Sequence, residues 1–203
     1  MFQNIRWPSG IKAVHLEWLE PGKGEGLTDY CQRFAAGIDI TKPFVLIGLS
    51  FGGIVATELS ELLKPADTIL ISSIACAAHI PPYYKLIGTL RLHKLVPPRL
   101  LQYPTPLNYW AFGAKTTEER KLLKQTLEDT SPSFLRWAIN SILAWRQKGR
   151  PERLFHIHGT ADRILPFRFT RADRAVRGGG HLMVYSRAAE VSKLIEDRFA
   201  EWS

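Results

Sequence analysis

The 203-residue chain predicts an α/β fold: a mostly parallel sheet flanked by helices and interrupted once by a helical insertion. Three observations carry that reading. Short apolar runs rich in branched residues recur along the chain, stretches with helical spacing separate them, and one basic segment breaks the alternation. Strands that alternate with helices imply parallel pairing, because a parallel connection needs a crossover whose helix covers a face of the sheet.

The elements follow in order. "AVHLEWL" (Ala13 to Leu19), "PFVLIGL" (Pro43 to Leu49), "DTILISS" (Asp67 to Ser73) and "RLFHIHG" (Arg153 to Gly159) have the composition of strands. Between the first two, Tyr30, Phe34 and Ile38 recur every fourth residue in "LTDYCQRFAAGI" and mark a helix. After the second, Ile54, Val55, Leu59, Leu62 and Leu63 share a helical face that Pro65 ends. A final helix is expected from Ala188 to Trp202, where Val191, Leu194, Ile195, Phe199 and Trp202 keep the 3.6-residue period.

The rhythm breaks between residues 79 and 150. Pro81 to Pro106 is rich in proline and aromatics, and two helices with their own start signals follow. Thr116 and Glu119 have capping-box spacing, and Ser131–Pro132 places an N-cap before a proline at the first helical position. Phe134, Ala138, Ile142 and Trp145 line one face of the second helix, which stops near Gly149 and Pro151. The expected organisation is therefore core (1–78), helical cap insertion (79–150) and core (151–203).

Composition narrows the class. Hydrophobic residues make up 45% of the chain, enough for a core. "MFQNIRWPSG" has neither a basic start nor an apolar run of the kind export signals carry, and Ile69 to Ile80 is too short to span a bilayer. Cys31 and Cys76 make no disulfide framework and read as small buried hydrophobes in a reducing compartment. A cytoplasmic protein without stable membrane insertion is the expectation.

The net charge of +8 is localised. His79 to Arg150 holds 12 Lys or Arg against 4 Asp or Glu, and the rest of the chain is balanced. Such a segment attracts anionic substrates, an acidic carrier or a lipid surface, or is simply a solvated basic face. It contains no nucleic-acid recognition module, which argues against a nucleic-acid partner.

One motif carries chemistry. "FVLIGLSFGGIVATEL" runs an apolar strand into Gly48-x-Ser50-x-Gly52 and straight into a helix. This is the context of a nucleophile elbow rather than of an ordinary turn serine, with Gly48 and Gly52 expected to relieve close backbone contacts. The helix N-terminus then offers the Phe51 N–H to an oxyanion. A serine needs a base, and the base an orienting carboxylate. "HIHGTADRILP" puts Asp162 in the loop after a strand, and "GGGHLMV" puts His181 after a glycine-rich loop. Asp162 has the competing reading of a partner for Arg163, with Asp173 as the fallback acid. His156 and His158, within or at the end of a strand, read as packing or loop-holding residues, and His15, His79 and His93 do not follow the acid in order.

With these residues the chain resembles the α/β-hydrolase superfamily, in its serine branch with a helical cap, over nearly its whole length. "GLSFGG" is similar to the elbow, "HGTADRILP" to the acid loop, "GGGH" to the histidine loop and "PGKGEG" to a glycine-rich loop after an early strand. The resemblance implies Ser50 as nucleophile, His181 as general base and then acid, and Asp162 as orienting acid. It implies a serine esterase acting on a carboxylic ester or thioester through an acyl-serine intermediate, with no metal or organic cofactor. Serine rather than aspartate at the elbow argues against haloalkane dehalogenase and epoxide hydrolase chemistry.

The pattern departs at one end. The family has a strand ending in a glycine loop whose N–H completes the oxyanion hole, and "MFQNIRWPSG" looks like the helix that follows it. Losing one such donor costs about 2.7–4 kcal/mol of transition-state stabilisation. The expectation is weak or absent esterase activity, with three readings open: a shortened reading frame, a variant in which "AVHLEWL" pairs directly with "PFVLIGL", or a partner that completes the sheet. The alternative function is a catalytically impaired scaffold that binds a ligand or partner.

Overall fold

The computed structural model describes residues 1–95, 97 and 102–201. Helix α1 (Leu27–Ala35) buries Tyr30, Cys31 and Phe34, while Ile38 lies past its end, packed on the same core. Strand β1 (Val45–Leu49) turns into helix α2 (Phe51–Leu63), which ends on Lys64 in the left-handed region before Pro65. Strand β2 (Asp67–Ile71) and strand β3 (Leu154–Gly159) are buried at every position, and a short strand β4 (Arg174–Val176) follows. The strands lie side by side in the order β1-β2-β3-β4, all parallel.

Alternation along the strands divides the core. Leu46, Leu70 and Leu154 face Tyr30, Phe34, Val55 and Leu59 of α1 and α2. Ile69, Ile71, Phe155 and Ile157 face Val191 and Ile195 of the last helix. A sheet covered on both faces requires near-continuous apolar strands, as β2 shows. The last helix, Ala188–Ala200, is preceded by a four-residue turn of helix, Met183–Ser186. Its expected last anchor, Trp202, lies outside the described residues.

Between β2 and β3 run helices α3 (Pro82–Thr89), α4 (Pro106–Phe112), α5 (Thr117–Asp129) and α6 (Pro132–Ala144). The last two are capped as their sequence implies. Thr116 Oγ1 accepts from the Glu119 N–H while the Glu119 carboxylate accepts from Thr116 N–H, and Ser131 Oγ accepts from Phe134 N–H. Helix α4 starts by the same device, Thr105 before Pro106. Two indoles join α6 to the core: Trp137 Nε1–H donates to the Glu25 carbonyl at 2.8 Å, and Trp145 Nε1–H to Glu58 Oε1 at 2.7 Å.

The beginning of the chain differs from expectation. Ala13 to Leu19 forms no strand; Val14 is 69% exposed, and the segment is tied down at Leu19, whose N–H and carbonyl both bond the Tyr30 hydroxyl. An apolar-polar alternation fits a strand only if one face is covered, and here Val14 and Leu16 are exposed while the half-exposed Trp18 packs on the rings of Phe34, Phe51 and Phe134. Direct pairing of "AVHLEWL" with β1 is thus ruled out, and among the described residues β1 pairs with β2 alone. Met1 to Gly10 is not a helix either: it makes turns, buries Ile5 against the last helix and donates Arg6 N–H to Ser192 Oγ at 2.9 Å. "PGKGEG" is a turn closed by Glu25 N–H on the Gly22 carbonyl, leading directly into α1. Leu62, on the expected buried face of α2, is half-exposed near the helix end.

The glycines at the β1–α2 junction also differ. A β-carbon on Gly48 would meet the Gly52 carbonyl oxygen at 2.3 Å, and one on Gly53 would meet Ser73 Oγ at 2.3 Å. At Gly52 it would meet only the Trp18 ring, at 3.7 Å. The crossing therefore requires Gly48 and Gly53, the glycine after the motif, and leaves Gly52 free. Gly48→Ala and Gly53→Ala are each expected to lower stability by about 1–3 kcal/mol or prevent folding, whereas Gly52→Ala, inside a helix, should be neutral or stabilising by up to about 1 kcal/mol. Urea midpoints of the three variants check this; equal losses at all three would contradict it.

Candidate active site

At the end of β1 the chain reverses through Ser50, with φ 54° and ψ −123°. A residue with a β-carbon is strained there and stays only if its neighbours fix it. Three contacts do so: Ser50 N–H donates to the Ile71 carbonyl at 3.0 Å, and the Ser50 carbonyl accepts from Gly53 N–H at 2.9 Å and from Ser73 Oγ–H at 2.7 Å. The hydroxyl is thereby presented above the C-terminal edge of the sheet. Phe51 follows as the first residue of α2, so its N–H lacks an intrahelical acceptor.

Asp162 sits in the turn after β3, with its N–H on the Gly159 carbonyl, and is 4% exposed. One carboxylate oxygen, Oδ1, accepts from Ile164 N–H and Leu165 N–H, both at 2.9 Å. The other, Oδ2, lies 2.7 Å from His181 Nδ1, and His181 Nε2 lies 2.8 Å from Ser50 Oγ. A carboxylate only accepts, which assigns the proton to Nδ1 and leaves Nε2 to accept from the serine hydroxyl. Sequence spacing of 112 residues between Ser50 and Asp162 is thus closed to two hydrogen bonds through one imidazole. The acid and histidine loops touch backbone to backbone: a β-carbon on Gly159 would meet the Gly179 carbonyl oxygen at 2.2 Å.

A family model described as the alpha/beta hydrolase family matches residues 14–194. The chain belongs to the alpha/beta hydrolase family.

Solved structures agree on the fold. A thermophilic esterase from Thermogutta terrifontis aligns over 97% of this chain and 78% of its own, with TM-score 0.61 and 16% identity. An esterase from Exiguobacterium antarcticum aligns over 85% and 73%, with TM-score 0.59 and 16% identity. A bromoperoxidase from Bacillus anthracis aligns over 92% and 77%, with TM-score 0.55 and 14% identity. No curated protein sequence matches the chain. Family membership supports a hydrolase activity, and among the described residues no helix is long and apolar enough to cross a membrane.

The other candidates lie elsewhere. Asp173 pairs with Arg150 and accepts from His156 N–H at 2.7 Å, away from His181. Arg163 does not pair with Asp162; its Nη1 donates to the Trp110 carbonyl at 2.9 Å. His93 bonds Asn140, His15 lies near Phe2, and His79 is buried. Cys31 is buried in α1, where loss of solvent pushes its thiol up to about 12, and Cys76 is buried after β2.

The hydrolase keeps two further imidazoles behind Asp162. His158 Nε2 lies 2.7 Å from the Leu165 carbonyl and 3.4 Å from Asp162 Oδ2, so it donates and clamps the acid loop. Its Nδ1 then accepts from His156 Nε2–H at 3.1 Å, which leaves His156 Nδ1 bare and, among the described residues, without a partner. Sequence reasoning treated both as packing or loop-holding residues and missed this junction with the acid; the His-x-His spacing on one strand face was the readable signal.

Burial disfavours the charged form of both rings, lowering His158 and taking His156 down to about 2. For His158 the nearby Asp162 opposes the shift without reversing it. The unfolded chain binds these protons near pH 6.5 and the folded one does not, so stability conferred by burying neutral imidazole is present above that pH and is lost as pH falls. Each such histidine contributes a slope of about 1.4 kcal/mol per pH unit once the unfolded form is protonated. Urea unfolding at pH 7, 6 and 5 should show falling stability, with a shallower slope in His156→Phe. An identical slope in that variant would place the effect elsewhere.

Proposed function

We propose that this chain is a serine hydrolase that cleaves a carboxylic ester or thioester through an acyl-Ser50 intermediate. The observation that carries the reading is the unbroken line Ser50 Oγ–H to His181 to Asp162, both links at hydrogen-bond distance, with Ser50 held in a strained turn at a helix N-terminus. Such a line activates a hydroxyl for attack on a carbonyl carbon.

In this reading Ser50 Oγ bonds to the acyl carbon as its proton passes to His181 Nε2. Asp162 stabilises the imidazolium, and the Phe51 N–H donates to the carbonyl oxygen as it gains charge. His181 then returns the proton to the departing alkoxide or thiolate. Water enters, gives its proton to Nε2 and adds to the acyl carbon, and the acid leaves as Ser50 regains its proton. The helices between β2 and β3 act as a cap. Phe134 and Trp137 of α6 pack with Phe51 and Trp18 beside the elbow, with ring centroids 5.1–6.0 Å apart, and support an apolar acyl wall.

A fluorophosphonate probe tests the relay directly. The wild-type chain should be labelled at Ser50, mapped by peptide mass spectrometry, with no label in Ser50→Ala and labelling slowed at least about 10³-fold in His181→Ala and Asp162→Asn. Folded wild-type protein that takes up no label would overturn the enzymatic reading and favour a binding role for the scaffold.

A further inference from the structure

The basic segment contributes to a concave site that the relay does not use. A cavity of about 480 Å³ lies between α4, the start of α5 and the acid loop, walled by Tyr109, Trp110, Lys115, Arg120 and Arg163. Its wall carries three cations and no carboxylate. Among the described residues none of the three stands in an ion pair, unlike Arg187 in the smaller neighbouring cavity, which pairs with Glu190. The carboxylate of Glu119, next to Arg120 in the chain, is buried and accepts from Lys115 N–H and Thr116 N–H.

Two of the cations are held in place. The Arg163 guanidinium lies 4.6 Å from the Trp110 ring centre, with Nη1 on the Trp110 carbonyl, and Arg120 lies 5.6 Å from the Tyr109 ring centre. A guanidinium fixed on an aromatic ring keeps a planar edge of donors for a carboxylate or phosphate and loses little freedom on binding. Like charges gathered on a concave surface repel one another, and a bound anion relieves that repulsion.

The cavity adjoins the relay. Arg163 follows Asp162 in the chain, Gly113 in the cavity wall lies against Gly180 and the His181 backbone, and the Phe112 ring meets the His181 ring edge-on at 5.3 Å. Resting on the hydrolase reading above, we propose that this cavity holds an anionic group, carboxylate or phosphate, carried by the substrate, whose acyl carbon is presented to Ser50. The substrate class is then an amphiphilic acyl ester or thioester with one charged end.

Paired esters and a binding titration test this separately. Mono-p-nitrophenyl adipate and p-nitrophenyl hexanoate share chain length and leaving group and differ in the terminal carboxylate. The wild-type ratio of kcat/KM, adipate over hexanoate, should exceed one, fall about tenfold in Arg163→Gln and in Arg120→Gln, and fall as salt rises and screens the site. In Ser50→Ala protein, adipate and inorganic phosphate should quench tryptophan fluorescence through Trp110, with Trp110→Phe as control, and both arginine substitutions should weaken the binding. Arg163→Lys, which keeps the charge, should retain part of it and guards against loss of the Trp110 carbonyl contact. Absence of binding at low salt, or binding indifferent to both arginines, overturns the proposal. Binding with an unchanged ester ratio makes the ligand a separate anion and overturns the assignment to substrate. Arginine-dependent binding without turnover of either ester supports the anion site and counts against the hydrolase reading instead.

Discussion

The β1–α2 crossing is made backbone against backbone, and the geometry of the site depends on it. At 2.3 Å from a hypothetical Gly48 β-carbon, the Gly52 carbonyl leaves no room for any side chain, and Ser73 fills the matching space beside Gly53. This closeness forces the reversal at Ser50 into positive φ. Ser73 has a second role in the same place, because its hydroxyl donates to the Ser50 carbonyl. Packing and hydrogen bonding thus converge on one residue, and strain at Ser50 is offset by the sheet around it. A serine at a surface turn would have neither constraint and would sample other conformations.

Opposite the elbow, a buried carboxylate imposes the next constraint. Removing Asp162 from water is unfavourable unless its oxygens find donors, and the fold supplies two backbone N–H groups and the His181 ring. His158 completes the surround, donating to the Leu165 carbonyl while lying beside the same carboxylate. Because that carbonyl can only accept, tautomers along the line are fixed one after another back to His156, whose Nδ1 ends without a partner among the described residues. The polar network is satisfied where it meets the serine, and its deficit among the described residues lies at the far end, inside the sheet.

Much of this was legible in the sequence because it rests on local rules. Strands β2 and β3 are buried on both faces, β1 fully on one and partly on the other, and all three show as branched apolar runs. The caps at Thr116 and Ser131 are fixed by side chains a few residues apart. Ser50, Asp162 and His181 could be paired as candidates because strand ends share one sheet edge in a parallel fold. What was not legible depended on distant partners. Nothing within "AVHLEWL" tells that Val14 and Leu16 are left exposed while Trp18 packs on aromatic rings, since exposure is decided by what packs over them. Gly53 rather than Gly52 meets Ser73, twenty positions on, so a motif read by its own spacing named the wrong glycine. Strand β4, at three residues, is too short to display a period, and its ladder with β3 alone defines it.

The inserted helices are attached at two places of different character, and this bears on their charge. Helix α6 is fastened to the turn before α1 and to α2 by the bonded indoles of Trp137 and Trp145. Helices α4 and α5 instead pack on the histidine loop, where Leu123 and Leu127 bury against Leu182 and the Leu182 N–H donates to the Phe112 carbonyl. With its apolar residues committed inward, α5 leaves Arg120, Lys121 and Lys124 outside. Lys121 and Lys124 are accounted for by solvation, Lys124 having Glu128 at 3.8 Å as well. Simple solvation explains less at Lys115, Arg120 and Arg163, which come from two separate stretches of chain and still share one cavity wall. A merely soluble surface gains nothing from gathering like charges in a concavity. The excess charge of the segment is therefore of two kinds: a dispersed part that keeps the helices wet, and a concentrated part set beside the loop that carries His181.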